Sequence, residues 1–264
     1  MKRRFVLLMV PILIWGASCG KKIEDLEKGK IGSLTWTRTD KTLTISGTGA
    51  IPDYRISPTE NLPPWFESRN DFLQVIIGDG VSEIGNFAFF RFEKLTYVTM
   101  GNSVTSIGVR AFSGCSSLTS VIIPGSVTTI GNGTFSGCSS LTSITFPNSV
   151  ITIGDACFYQ CENLNSVIIS NSVISIGESA FWDCEKLTSV TIGNSVTSIG
   201  DDAFHNCSGL TEIINYQETP QSIDTYVFSG VSKTKCTLYV PAGSESDYRN
   251  AKGWKSFVNI KPIQ

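Results

Sequence analysis

From Phe72 onward the chain repeats one arrangement of apolar and polar positions every 23 residues, with units beginning at Phe72, Leu95, Leu118, Leu141, Leu164, Leu187 and Leu210. In the copy LTSVIIPGSVTTIGNGTFSGC the apolar set is Leu118, Val121, Ile123, Val127, Ile130 and Phe135. Thr134 stands where most copies have alanine, and Cys138 completes the set. The spacing of Leu118, Val121 and Ile123, closed by a Pro-Gly or Gly-Asn turn, predicts a strand with an inward and an outward side. A second extended stretch ends at Ile130 and Gly131. Asp201, Asp202, Ala203 and Phe204 predict a short helical turn, with Phe204 and Cys207 three apart on one face. The seventh copy departs from the rule, because it gains one residue before Ile223 and Phe228 and has Val231 where the five preceding copies have cysteine.

One such unit holds too few large apolar side chains to offset the conformational entropy of ordering it. Stacked units share a core and a backbone ladder, so the pattern predicts a repeat solenoid of parallel β rungs joined by short helical or 3-10 turns. The aperiodic flanks then have to close its ends. Upstream, GSLTWTRTDKTLTISGTG alternates around Asp40 and Lys41 and predicts a β-hairpin, followed by a loop containing Leu62, Pro63 and Pro64. Downstream, a strand from Cys236 to Val240, a short helix capped by Ser244 and a last strand around Phe257 and Ile260 make a strand-helix-strand module. The expected divisions are an N-terminal cap over 31–71, seven repeats over 72–231 and a C-terminal cap over 232–264.

The first residues carry an address. Lys2, Arg3 and Arg4 precede an apolar run from Phe5 to Trp15, then Gly16, Ala17, Ser18 and Cys19. This predicts a signal peptide over 1–18 and an exported chain. The run is too short to span a bilayer as a helix. Cys19 sits where a bacterial lipoprotein is acylated, although Gly16 replaces the usual leucine three residues earlier. Ordinary cleavage at the same bond is the alternative. With lipidation, residues 19–30, including the charged KKIEDLEKGK, form a flexible tether.

The units LTSVTIGNSVTSIGDDAFHNC, the upstream LTWTRTDKTLTISGTGAIPDY and the downstream CTLYVPAGSESDYRNAKGW together resemble the BspA-like leucine-rich-repeat surface proteins of anaerobic bacteria. The resemblance covers the chain from about Ile31 onward. It implies a leucine-rich-repeat solenoid displayed at the cell surface or outer membrane as a lipoprotein, with periplasm-facing or secreted forms as alternatives. Some members of that family are adhesins, which implies a protein partner such as a host matrix or other cell-surface protein. It does not transfer a particular ligand.

Charged residues make up 17% of the chain and the net charge is −2, so no basic field exists for nucleic acid or an anionic membrane. Membrane contact is expected only through a lipid on Cys19. No cofactor or metal is expected, because the only histidine, His205, is not spaced to join the cysteine column Cys115, Cys138, Cys161, Cys184 and Cys207. Parallel rungs point these thiols the same way, which predicts free, buried cysteines, with Cys157 a core filler at an alanine position. His205 occupies a position that is Ser113 and Ser136 in other copies, so no catalytic residue is assigned. Gly85, Gly108, Gly131, Gly154, Gly177 and Gly200 recur at one position and are expected to serve a turn.

Display remains. Two outward strand rows are candidate binding residues: Tyr97, Ser120, Ser143, Ser166 and Ser189 in one, and Thr99, Ile122, Thr145, Ile168 and Thr191 in the other. From Ala111 to Gly154 no residue is charged. Tyr159, Trp182 and His205 form a second candidate, an aromatic stripe on successive rungs that could stack on a sugar or anchor a protein, or whose rings could simply pack over the next turn. The chain therefore reads as a non-enzymatic recognition and adhesion module for host or microbial proteins. The alternatives are a glycan-binding accessory protein and a surface component without a dedicated ligand.

Overall fold

The computed structural model describes residues 27–57 and 61–264. The expected signal peptide, Cys19 and the tether up to residue 26 lie outside the described residues.

The 23-residue period becomes a physical stack because each copy's first apolar residue, from Phe72 to Leu210, is buried, and the strand that follows alternates its sides. Strands Gln74–Ile77, Tyr97–Met100, Ser120–Val121, Ser143–Thr145, Ser166–Ile169, Ser189–Ile192 and Glu212–Asn215 pair in parallel. The register holds each residue beside its counterpart in the next copy, as Ser166 lies beside Ser189. These strands form the middle of a 12-stranded sheet. The second extended stretches form a parallel seven-stranded sheet, from Gly49–Ile51 to Ser198–Ile199. The core lies between the two sheets and the turns that join them.

The short helical turns take an open form. In the first six copies two residues four apart have left-handed backbone, for example Gly133 and Gly137, Ala156 and Gln160, or Asp202 and Asn206, while the seventh keeps only Gly230. Every second amide bonds three residues back, as His205 N–H does to the Asp202 carbonyl. The intervening amides turn along the stack: Gly133, Phe135 and Gly137 donate to the carbonyls of Asp155, Cys157 and Tyr159 in the next copy. The turns thus make a third ladder, and backbone groups that a loop would leave to water are paired.

Beneath that ladder Phe89, Phe112, Phe135, Phe158, Phe181, Phe204 and Phe228 stack ring on ring, with centroids 5.1–5.7 Å apart and planes within 16°. Both ends of the column meet a tryptophan. Trp65 stacks on Phe89 at 5.8 Å, and its indole N–H donates to the Ala88 carbonyl at 2.9 Å. The equivalent Ala111 carbonyl accepts Phe89 N–H from the preceding copy, so Trp65 supplies the donor that a missing copy would have supplied. Trp254 packs on Phe228 at 5.2 Å and donates to the Gln221 carbonyl at 2.9 Å.

The N-terminal cap is a three-stranded antiparallel meander, β1 (Lys28–Ile31), β2 (Leu34–Thr39) and β3 (Thr42–Gly47), and β3 then pairs in parallel with Gln74–Ile77. The β2–β3 hairpin turns at Asp40, which has φ 51°, as the alternation around it predicts. Strand β1 occupies Lys28–Lys30, where the tether was expected to continue; pairing with β2 orders those residues. At the other end Thr237–Val240, helix α1 (Glu245–Asn250) and strand Asn259–Pro262 close the stack. Ser244 stands at the N-cap of α1, but its side chain makes no cap hydrogen bond. Glu245 instead turns back and accepts the Gly243 N–H at 2.7 Å. The outermost strands of the large sheet carry Lys28 and Lys30 at one edge and Lys261 and Pro262 at the other, residues that discourage further strand addition.

One residue column, the glycines, has a reason that differs from the one read in the sequence, and the cysteine column is as expected. The glycine column from Gly85 to Gly200 has no left-handed member. A Cβ on Gly154 would lie 2.7–2.8 Å from atoms of Asn132 and Gly131, so these glycines let neighbouring rungs approach. The cysteines Cys115, Cys138, Cys161, Cys184 and Cys207 are free and buried, as is Cys157. Each column thiol donates to a phenylalanine carbonyl one copy back, from Phe89 to Phe181, at 3.1–3.3 Å. Burial pushes the Cys138 thiol up to about 12, which leaves it protonated and inert.

Candidate functional site

The alternation that buries one side of each strand presents the other. Tyr97, Ser120, Ser143, Ser166 and Ser189 stand side by side through the sheet register, as do Thr145, Ile168 and Thr191. Thr99 and Ile122 extend the second row on the same outer face. All ten residues are exposed or partly exposed. Ile122 and Ile168 are exposed by 71% and 61%, large values for isoleucine, and threonine separates them. Further members of that row are Ile76, Ile214 and Tyr239, so isoleucine and threonine alternate from Ile76 to Ile214. The face carries hydroxyls and methyls and no ion pair; among the described residues the salt bridges lie at Arg38, His205 and Lys252.

The face is not uniform. Where the strand turns away, successive copies place Pro124, Pro147, Ser170, Gly193 and Tyr216 at one position. Ser170 and Gly193 lack bulk, and a Cβ on Gly193 would strike the Ser170 carbonyl at 2.6 Å. The missing bulk opens a groove of about 710 Å³ between Phe146 and Tyr216. Asn148, Asn171 and Asn194 line it on three successive rungs, with Ile168 and Thr191 from the strand row. No charged residue lines it. A second hollow of about 390 Å³ meets it at Tyr216 and adds Glu212, Ile214 and Tyr239. Tyr216 and Tyr239 escaped the sequence reading because they fall in and after the irregular seventh copy. A comparison of the turn position alone across copies, small at Ser170 and Gly193 and aromatic at Tyr216, carries the signal.

The aromatic stripe has a different geometry. Trp182 and His205 stack at 4.0 Å with planes 9° apart, and Tyr159 lies 6.2 Å from Trp182 on its other side. His205 is held by the Asp202 carboxylate, Nδ1 to Oδ1 2.9 Å. The rings pack on each other, so Trp182 offers its edge rather than an open face. A sugar needs that face to stack. The stripe and the strand rows are not brought together into one site. Among the described residues no group of three His, Cys, Asp or Glu side chains could hold a metal, and no helix is long and apolar enough to cross a membrane.

Known proteins share this fold. A leucine rich cell surface protein from Faecalibacterium prausnitzii is similar over 90% of this chain and 73% of its own, at 24% identity and a TM-score of 0.57, a likeness of fold. A leucine rich repeat protein from T. pallidum is similar over 72% of this chain and 90% of its own, at 26% identity and a TM-score of 0.54. No curated protein matches. The family described as "BspA type Leucine rich repeat region" matches residues 64–188 and 151–244, in six copies. The sequence period, the paired sheets and this match agree: the chain belongs to the BspA-type leucine-rich-repeat family.

Proposed function

We propose that this chain is an exported, non-catalytic recognition module, held at the cell surface through a lipid on Cys19, that binds a host or microbial protein through its outer strand face. The observation that carries the reading is the uncharged row of alternating isoleucine and threonine, with Ile122 exposed by 71% where a solvated strand would place a polar residue. Its size sets the mode of binding. Parallel rungs lie about 4.8 Å apart, so six steps span roughly 29 Å, and a strip about 10 Å wide projects roughly 300 Å². A standard interface uses about 800 Å² per partner. One copy therefore binds weakly, and many copies on one surface supply avidity.

The test has two arms. Purified protein immobilised at high density is screened against matrix proteins, and Ile122→Asp abolishes the binding that wild type shows. Labelling with palmitate in the native host marks wild type and not Cys19→Ala. Binding that survives Ile122→Asp unchanged rejects the strand face as the site.

A further inference from the structure

We propose that the groove beside Tyr216, which borders the strand face and shares Ile168 and Thr191 with it, is a binding site for a neutral oligosaccharide. Three features converge there. Asn148, Asn171 and Asn194 present exposed carboxamides at one-rung steps, and each carboxamide both donates and accepts, which is what vicinal hydroxyls require. Asn171 Oδ1 accepts the Asn194 backbone N–H at 3.0 Å, which fixes that side chain and leaves its NH₂ free to donate outward. Tyr216, 44% exposed, walls one end and offers an aromatic surface to the C–H face of a sugar ring, with Ile168 as a second apolar contact. Thr191 adds a hydroxyl between them.

Other ligand chemistries fit less well. An anion or a cation would meet no countercharge, because the lining is neutral throughout. A peptide strand binds by extending a free sheet edge. Here the strands beside the groove, Ser143–Thr145 through Glu212–Asn215, are interior to the sheet, each paired on both sides. An amphipathic helix needs a predominantly apolar groove. This one is lined mainly by amides and hydroxyls, with a volume of about 710 Å³ that suits a short saccharide.

The experiment applies an array of neutral oligosaccharides, with sialylated and sulfated ones as charged probes, to the folded protein, followed by titration calorimetry on the best neutral hit. Binding weakened at least tenfold by Tyr216→Ala, several-fold by Asn171→Ala and little by Tyr216→Phe supports the proposal. Circular dichroism checks that each variant keeps its fold. Ile122 lies outside the groove, so Ile122→Asp leaves sugar binding intact even where it removes protein binding, and the two readings fail separately. Absence of any neutral hit, preference for charged glycans, or a hit insensitive to Tyr216→Ala overturns it; so does a protein partner that Tyr216→Ala releases while no sugar binds.

Discussion

Phe158→Ala tests whether the ring column couples one copy to the next. Phe158 is fully buried, stacked on Phe135 at 5.5 Å and on Phe181 at 5.3 Å, and meets Phe146 edge-on at 5.7 Å. Truncating a buried phenylalanine costs about 3–5 kcal/mol, part of it from the cavity left behind. Each aromatic pair adds about 0.5–1.5 kcal/mol beyond area. Three pairs are lost, so the upper end, about 4–5 kcal/mol, is expected. In a solenoid this loss weakens two neighbour interfaces at once and leaves a cap-bearing block on either side. Urea unfolding followed by circular dichroism should therefore show a lower midpoint and a transition that broadens or splits, with a smaller slope. Phe158→Leu, which refills most of the space, should retain one transition and lose no more than about 1.5 kcal/mol. A loss below about 1 kcal/mol with an unchanged single transition in Phe158→Ala would refute the coupling role.

Three further outcomes are expected. Gly154→Ala, whose Cβ would press on backbone of the preceding rung at 2.8 Å, should lose at least about 2 kcal/mol in urea, whereas a surface change such as Ser143→Ala should stay within about 0.5 kcal/mol. Trp65→Phe keeps the stack on Phe89 but removes the donor to the Ala88 carbonyl, so its melting should show a loss of about 1–3 kcal/mol from the unpaired buried acceptor. In a Cys19→Ser protein the seven remaining thiols, all buried, should be silent to a thiol reagent at pH 8 and react only on unfolding. At that pH a thiol held up at about 12, as Cys138 is, holds roughly one part in ten thousand as thiolate, and reactivity should rise only as pH climbs toward that value.

The period was legible because stacking makes one position do the same work in every copy. Phe72 to Leu210, the phenylalanine column as far as Phe204 and the cysteine column all lie where a 23-residue register puts them, and Phe228 joins the stack one residue late. Contacts that depend on direction were not legible. Spacing predicts a helical turn at Asp201–Phe204, but it cannot tell that alternate amides turn to the next copy, since that choice depends on left-handed backbone at Asp202 and Asn206, residues common in ordinary turns. The glycine column was visible as a column, while its cause, rung contact rather than turn geometry, needed three dimensions. For the proposed binding surface the strand rows were readable from alternation. The groove was not, because it arises from small residues in two copies and a tyrosine in the irregular seventh.

The matching of both tryptophan ends to one column has a consequence for how such genes change. Trp65 reads the turn of whichever copy follows it, and Trp254 the turn of whichever copy precedes it; neither contacts the middle of the stack. Recombination that removes or duplicates one whole interior unit therefore returns the same pair of junctions. Length can therefore change by whole units without fresh selection on the termini, and foldability is inherited intact.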